Sequence, residues 1–176
     1  MARLFVAIEL PDQVKSELER VQPRPTAGLR IVTPNQMHLT LHFIGEADVD
    51  QTIAALTPVK NRQFALQLEG LGRFPPRGRA NVLWAGVIEN EELNKLYATV
   101  GTALGQIGFQ PESSPYAPHI TLARCAYKVN PNIADDFLER SHELVIPPIA
   151  VDGFTLFSST IEADGPVYHR EHWFAI

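Results

Sequence analysis

The spacing of apolar and polar positions changes period several times along the chain, and each change marks an element. Residues 3–9 (RLFVAIE) are a short apolar run rich in β-formers, which predicts a largely buried strand. Pro11-Asp12 then opens a helix in which Val14, Leu18 and Val21 recur at helical spacing, and Pro23 stops it. A Pro/Gly-rich loop occupies residues 23–28. Residues 37–45 (MHLTLHFIG) alternate cleanly, with His38, Thr40 and His42 on one face and Leu39, Leu41 and Phe43 on the other. Residues 48–58 read as a helix, 64–71 as one alternating strand and 81–88 as an apolar strand. The longest helical pattern runs from 91 to 107, with Leu93, Leu96, Tyr97, Val100 and Leu104 on one stripe. A strand at 119–125, a short helix near 132–140 and closing strands near 150–158 and 166–175 complete the pattern.

The order of elements repeats once. A strand, helix, loop, His-bearing strand, helix and strand fill residues 3–71 and recur over 81–158. Phe5 and Trp84 lie 79 positions apart and His38 and His119 lie 81 apart, too long a period for a solenoid unit. The pattern predicts a duplicated α+β fold, two similar lobes about a pseudo-two-fold axis within one domain spanning 1–176. A length of 176 residues is ample for a shared hydrophobic core.

Composition narrows the function. Apolar content of 45% with 20% charged residues excludes wholesale disorder. A single cysteine, Cys125, excludes an internal disulfide and a thiolate metal cluster. Apolar runs fall short of the roughly 20 residues that span a bilayer. The start, MARLFVAIELPDQ, reaches Glu9 too soon for a secretory signal, which predicts a cytoplasmic protein without membrane contact. The net charge of −5 argues against a general charge-driven nucleic-acid binder. Yet the charge is segregated. Windows 20–45, 70–88 and 113–134 hold no Asp or Glu but carry Arg20, Arg24, Arg30, Arg73, Arg77, Arg79, Arg124 and Lys128, eight of the 15 basic residues. Such segregation points to a local positive site.

Two of those windows contain the chemical signal, His38-Leu39-Thr40-Leu41 and His119-Ile120-Thr121-Leu122. Residues i and i+2 of a strand share a face, so each motif sets an imidazole beside a hydroxyl. With six His and ten Thr in the chain, chance predicts about 0.3 such matches. Two facing imidazoles can hold one neutral base and one protonated acid near neutral pH. Displacement at phosphorus requires that combination, and threonine hydroxyls can donate to the non-bridging oxygens. A zinc site is the weaker reading, because it wants a third ligand that the acid-free windows do not supply. Cys125, near Leu122 and Ala126, reads as a small packing residue rather than a nucleophile.

Together RLFVAIELP, HLTLHFIGE, RFPPRGRANVLWAGV, PYAPHITLAR and FTLFSS…GPVYH resemble, in order and over essentially the whole chain, the two-histidine (2H) phosphoesterase superfamily. More narrowly they resemble the RNA 2′,3′-cyclic phosphodiesterases, also called 2′-5′ RNA ligases. The resemblance implies a bilobal α+β fold of two antiparallel-sheet/helix lobes around a central cleft, with no metal or nucleotide cofactor. It implies hydrolysis of 2′,3′-cyclic phosphate at RNA 3′ ends, or on nucleotides, to a 2′-phosphomonoester, and reversible 2′-5′ ligation. His38 and His119 match the family's catalytic pair, and Thr40 and Thr121 match its phosphate-holding hydroxyls. If O3′ leaves, His38 is the acid and His119 the base, although pseudo-symmetry lets either serve. An aromatic at the position of Phe43 stacks on the terminal base, and an arginine at that of Arg124 contacts phosphate or base. A monomer is expected. Two alternatives stay open: a non-catalytic RNA-end binding module, and a 2H enzyme for another phosphoester such as ADP-ribose cyclic phosphate.

Strand parity conflicts with two of these assignments. Phe43 and Arg124 each lie five residues after their histidine and so point away from it, unless a bulge intervenes. The parity that removes Phe43 places His42 beside His38 and Thr40. The stretch from Arg73 to Arg79 gathers three arginines around a Pro pair and reads as a clamp on the RNA backbone or a solvated loop. Tyr116 and Pro118 set the approach to strand 119–125, and His142, His169 and His172 read as surface or structural residues.

Overall fold

The computed structural model describes all 176 residues, Met1–Ile176. Ten strands and four α-helices follow in the order β1 (Ala2–Glu9), α1 (Asp12–Val21), β2 (Leu29–Ile31), β3 (His38–Ala47), α2 (Val49–Leu56), β4 (Phe64–Leu66), β5 (Leu68–Phe74), β6 (Val82–Val87), α3 (Glu91–Gly105), β7 (His119–Cys125), α4 (Asn132–Glu139), β8 (Ile149–Val151), β9 (Gly153–Glu162) and β10 (Gly165–Ala175). Local chemistry sets the helix starts. Asp48 accepts the Gln51 amide at 2.9 Å ahead of α2, and Asn90 accepts the Leu93 amide at 3.0 Å ahead of α3. The buried faces are the ones the periodicity marks: Val14, Leu18 and Val21 on α1, and Leu93, Leu96, Val100 and Leu104 on α3.

The strands form two four-stranded antiparallel sheets, ordered β10-β9-β1-β3 and β2-β7-β6-β5, and a small β4-β8 ribbon. Each sheet contains the same three-strand unit, β9-β1-β3 in one and β5-β6-β7 in the other, with the motif histidines on β3 and β7. The third strand of each unit is exchanged: β5, from the first half of the sequence, sits beside β6, and β9, from the second half, sits beside β1. One apolar cluster runs through both sheets, from Leu4, Val6 and Leu39 to Leu83, Ile120 and Leu122. Fully burying a leucine of this cluster contributes about 1.5–3 kcal/mol.

Two predicted strands differ from the pattern in the same way. Residues 64–71 break at Gln67, so that β4 pairs with β8 and β5 passes on to β6. The Gln67 amide nitrogen donates to the Ile146 carbonyl at 2.9 Å, which fixes the crossing point. Residues 150–158 break at Asp152, whose carbonyl accepts the Ile176 amide at 3.0 Å. Alternation continues through the break at Gln67, where periodicity does not reveal the change of partner, whereas at Asp152 the apolar positions switch parity, from Ile149 and Val151 to Phe154 and Leu156. No helix is long and apolar enough to cross a membrane.

Candidate active site

β3 and β7 approach one another between the sheets. Both carry a one-residue bulge at the same place. On β3, Val6 faces His42 and Ala7 faces Thr40, so Leu41 has no partner. On β7, Leu83 faces Ala123 and Trp84 faces Thr121, so Leu122 has none. Each bulge turns the following residues over by one position. His42 therefore goes inward and is buried with Leu41, while Phe43 comes out, 63% exposed. On β7, Leu122 and Ala123 are both buried and Arg124 is exposed. The expected alternation is thus overturned for both strands: Phe43 and Arg124 share the face of the motif histidines and His42 does not.

A pocket of about 110 Å³ is lined by His38, Thr40, Phe43, His119, Thr121 and Arg124 together with Arg30, Val32, Gln36, Pro166 and Tyr168. All six residues singled out from the sequence meet there. The two imidazoles are held alike. His38 Nδ1 lies 2.7 Å from the Gln36 carbonyl and His119 Nδ1 lies 2.8 Å from the Ala117 carbonyl, in each case the residue two before it. A carbonyl only accepts, so each Nδ1 carries the hydrogen and each Nε2 is left for the pocket. His38 packs 4.9 Å from Phe5 and edge-on to Tyr168, and His119 packs edge-on to Phe74 at 4.9 Å.

Burial favours the neutral ring. His38 is pushed down to about 4, chiefly by burial and further by the Arg124 and His119 charges, against the pull of the Gln36 carbonyl. His119 is also lowered, by burial first and then by Arg124. Arg30 and Arg124 are cross-strand partners on β2 and β7, and neither takes part in an ion pair. The pocket accordingly offers two basic Nε2 atoms, two hydroxyls and two free guanidinium groups, the complement of a compact phosphate anion.

Buried His42 stacks on Tyr97 at 4.2 Å, and its Nε2 lies 2.8 Å from the Tyr97 carbonyl. Tyr97 stacks in turn on Tyr116 at 3.9 Å, and the Tyr116 hydroxyl donates to the Thr40 carbonyl at 2.9 Å. This column ties the segment before β7 to the motif of β3. Tyr97 and Tyr116 belong to a helical stripe and a loop in sequence, and the one visible signal was the aromatic residue three places before His119. The arginine loop does not reach the pocket. Arg73 donates to the Pro75 and Gly78 carbonyls of its own loop, and Arg79 lies 4.1 Å over the Tyr127 ring. With Lys128 they line a separate hollow of about 570 Å³ that neither motif histidine lines, so the arginines read as a clamp or a solvated loop form no part of the pocket. Cys125 is half-buried at the edge of that hollow, and His142, His169 and His172 are exposed. No three His, Cys, Asp or Glu side chains converge anywhere in the structure.

Comparison with known proteins gives a consistent answer. A curated relative from Thermotoga maritima, named RNA 2′,3′-cyclic phosphodiesterase, is 33% identical, with 94% of this chain and 91% of the relative covered. One of the same name from Archaeoglobus fulgidus is 31% identical, with 94% and 96% covered. Among solved structures, TT0787 of Thermus thermophilus superposes with a TM-score of 0.79 at 29% identity, covering 98% of this chain and 97% of the other. E. coli LigT, solved with 3′-AMP, gives 0.77 at 25% identity, covering 99% and 98%. Residues 10–160 match the sequence model of one family, and on that match the chain belongs to the 2′-5′ RNA ligase superfamily.

Proposed function

We propose that the pocket between β3 and β7 hydrolyses the 2′,3′-cyclic phosphate at an RNA 3′ end, or on a nucleotide, to a 2′-phosphomonoester. The observation that carries this reading is the matched hold on the two imidazoles, each tied through Nδ1 to a carbonyl with its Nε2 left for one small pocket. One Nε2 takes a proton from water as the water oxygen bonds to phosphorus. The P–O3′ bond breaks, and the other imidazole, in its protonated form, gives its proton to O3′. The Thr40 and Thr121 hydroxyls and the Arg124 guanidinium donate to the non-bridging oxygens, where negative charge is concentrated in the transition state. Phe43, at the pocket's exposed edge, stacks on the terminal base.

Burial keeps both rings neutral in the empty site, which readies the base but not the acid. The anionic phosphodiester supplies the missing term, because a negative charge beside an imidazole favours its protonated form. With a ribose 5′-hydroxyl in place of water, the same displacement joins two RNA ends through a 2′–5′ linkage, in keeping with the family's name.

The direct test is hydrolysis of adenosine 2′,3′-cyclic phosphate with product identification. The expected result is the 2′-monophosphate, turnover unaffected by EDTA, and a loss of about 10²–10⁴-fold in each of His38→Ala and His119→Ala. Full activity in either variant, or abolition by EDTA, overturns the mechanism.

A further inference from the structure

The mechanism accounts for the reacting phosphate and the terminal base but leaves the rest of an RNA chain unplaced. Two hollows flank the small pocket, and Phe43 borders both. Their linings differ in chemistry. One, of about 220 Å³, is walled by Phe43, Phe74, Tyr97 and Phe109, and its only formally charged residue is Glu112. An aromatic wall with a carboxylate accepts an uncharged ring and repels a phosphate. The other, of about 520 Å³, contains Arg3, Arg30 and Arg124 and no carboxylate.

The arginines of the larger hollow are arranged at a cost to the fold. Arg30 and Arg124 face each other directly across β2 and β7, and like charges in that relation are destabilising. Neither is relieved by an acid. Arg3 is in register with Glu46 of β3, yet the two form no ion pair. Glu46 is not part of the hollow's lining, which leaves Arg3 as its third cation. The β9–β10 turn closes the far side, with Gly165 next to the Arg30 guanidinium and Ile161 standing 76% exposed at the rim.

We propose that this hollow is a subsite for the 5′-phosphate of the terminal nucleotide, the first phosphodiester of the RNA chain behind the cyclic phosphate, held by Arg30 and Arg3. The proposal rests on reading the adjoining pocket as the cyclic-phosphate site. Arg30 and Arg124, cross-strand neighbours, line both the small pocket and the hollow, so Arg124 serves the reacting phosphate while Arg30 joins Arg3 on the next one. The terminal base takes the aromatic hollow on the other side of the Phe43 ring. Recognition ends after one further phosphate, because the hollow's three arginines leave no further cation for a second.

The probes are a nucleoside 2′,3′-cyclic phosphate and the same compound carrying a 5′-phosphate. The wild-type enzyme is expected to favour the 5′-phosphorylated compound by about tenfold in kcat/KM, the scale of one charge-assisted contact. The double variant Arg3→Gln/Arg30→Gln is expected to bring that ratio to about one. Ile161→Glu, a change at an exposed position that leaves the core intact, is expected to lower the ratio by placing a carboxylate at the rim. A wild-type ratio of one, or a ratio that both variants preserve, overturns the subsite while hydrolysis of both compounds leaves the paired-imidazole mechanism standing. If the wild-type enzyme hydrolyses neither compound, the mechanism itself fails and the subsite with it.

Discussion

β3 and β7 are two versions of one strand. Each carries His-x-Thr, a bulge at the next leucine, a buried residue after it and an exposed one after that. The bulge and the Nδ1 anchor are common to both, so the two imidazole–hydroxyl pairs are presented with near two-fold symmetry. The positions beyond the bulge are not shared. His42 stands where β7 has Ala123, and Phe43 stands where β7 has Arg124. On the proposed mechanism, chemistry at phosphorus uses what is equivalent, and recognition of one particular end of RNA uses what is different. A symmetric pair could not tell the base side of a nucleotide from its phosphate side. An aromatic ring on one strand and a guanidinium on the other can.

The largest expected effect tests the symmetric part. If the imidazoles act as one unit, the double variant His38→Ala/His119→Ala loses little more kcat than either single variant, because the first loss already removes the concerted transfer. Losses that multiply across the double variant would show that each ring acts alone. The next tests the asymmetric part. Arg124→Ala is expected to lower kcat/KM by about 10–100-fold for every nucleoside 2′,3′-cyclic phosphate, since it removes charge-assisted donors to a group all of them share. Phe43→Ala is expected to act mainly on KM, by about 5–100-fold, and unequally among bases, as stacking does. Equal, base-independent losses in the two variants would erase the distinction between the strands.

The sequence carried the symmetric part in full view. Two His-x-Thr runs at matched points of a repeat located both histidines and both threonines, and their pocket contains all four. Beyond the threonines the pattern misplaces His42, because a bulge has no signature in an alternating apolar pattern: Leu41 and Leu122 look like ordinary inward residues and are the extra ones. The arginine windows were similarly half-informative. Of the eight cations in them only Arg30 and Arg124 line the pocket, while Arg73, Arg79 and Lys128 line another hollow and Arg20 pairs with Glu17. Arg3, outside every window, is the one that joins them at the flanking hollow. Linear segregation of charge records which strands are acid-free, not which face each side chain takes.

A smaller effect compares the strands by pH. Both motif imidazoles sit below the ordinary histidine range in the empty enzyme, His38 at about 4. The profile of kcat/KM, which reports the free enzyme, is therefore expected to be falling already below the ordinary histidine value of about 6.5, as the last protonated imidazole is lost. The profile of kcat reports the enzyme with substrate bound, and the phosphodiester charge moves both limbs upward. The measurement is the optimum of each profile, with kcat expected to peak at the higher pH. Coincident optima would mean that the phosphate does not lie against the imidazoles.

The smallest effect belongs to the residue that has no counterpart on β7. His42 is buried, stacked on Tyr97, and its affinity for protons is lowered, by burial first, against the opposing pull of the Tyr97 carbonyl and the Glu112 charge. The folded protein thus binds fewer protons at this site than the unfolded chain does below the ordinary histidine value of about 6.5. Stability contributed by the neutral ring is present above that value and is lost as pH falls. His38 and His119 have the same sign, so Tm is expected to drop as wild-type protein is taken from pH 7 toward 4. His42→Phe keeps an aromatic ring over Tyr97 and removes one titration. It is expected to cost about 0.5–1.5 kcal/mol at pH 7, where the hydrogen bond to the Tyr97 carbonyl is lost, and to shallow the acid decline of Tm by up to one proton's worth of slope. Hydrolysis of a cyclic mononucleotide by this variant is expected to change only a few-fold, because the Tyr97–Tyr116 contact and the Tyr116 bond to the Thr40 carbonyl do not involve residue 42. An unchanged acid slope would show that His42 is not held neutral by the fold. A loss of activity as deep as that of the motif histidines would place the ring back among the reacting groups, where unbroken alternation along β3 would have put it.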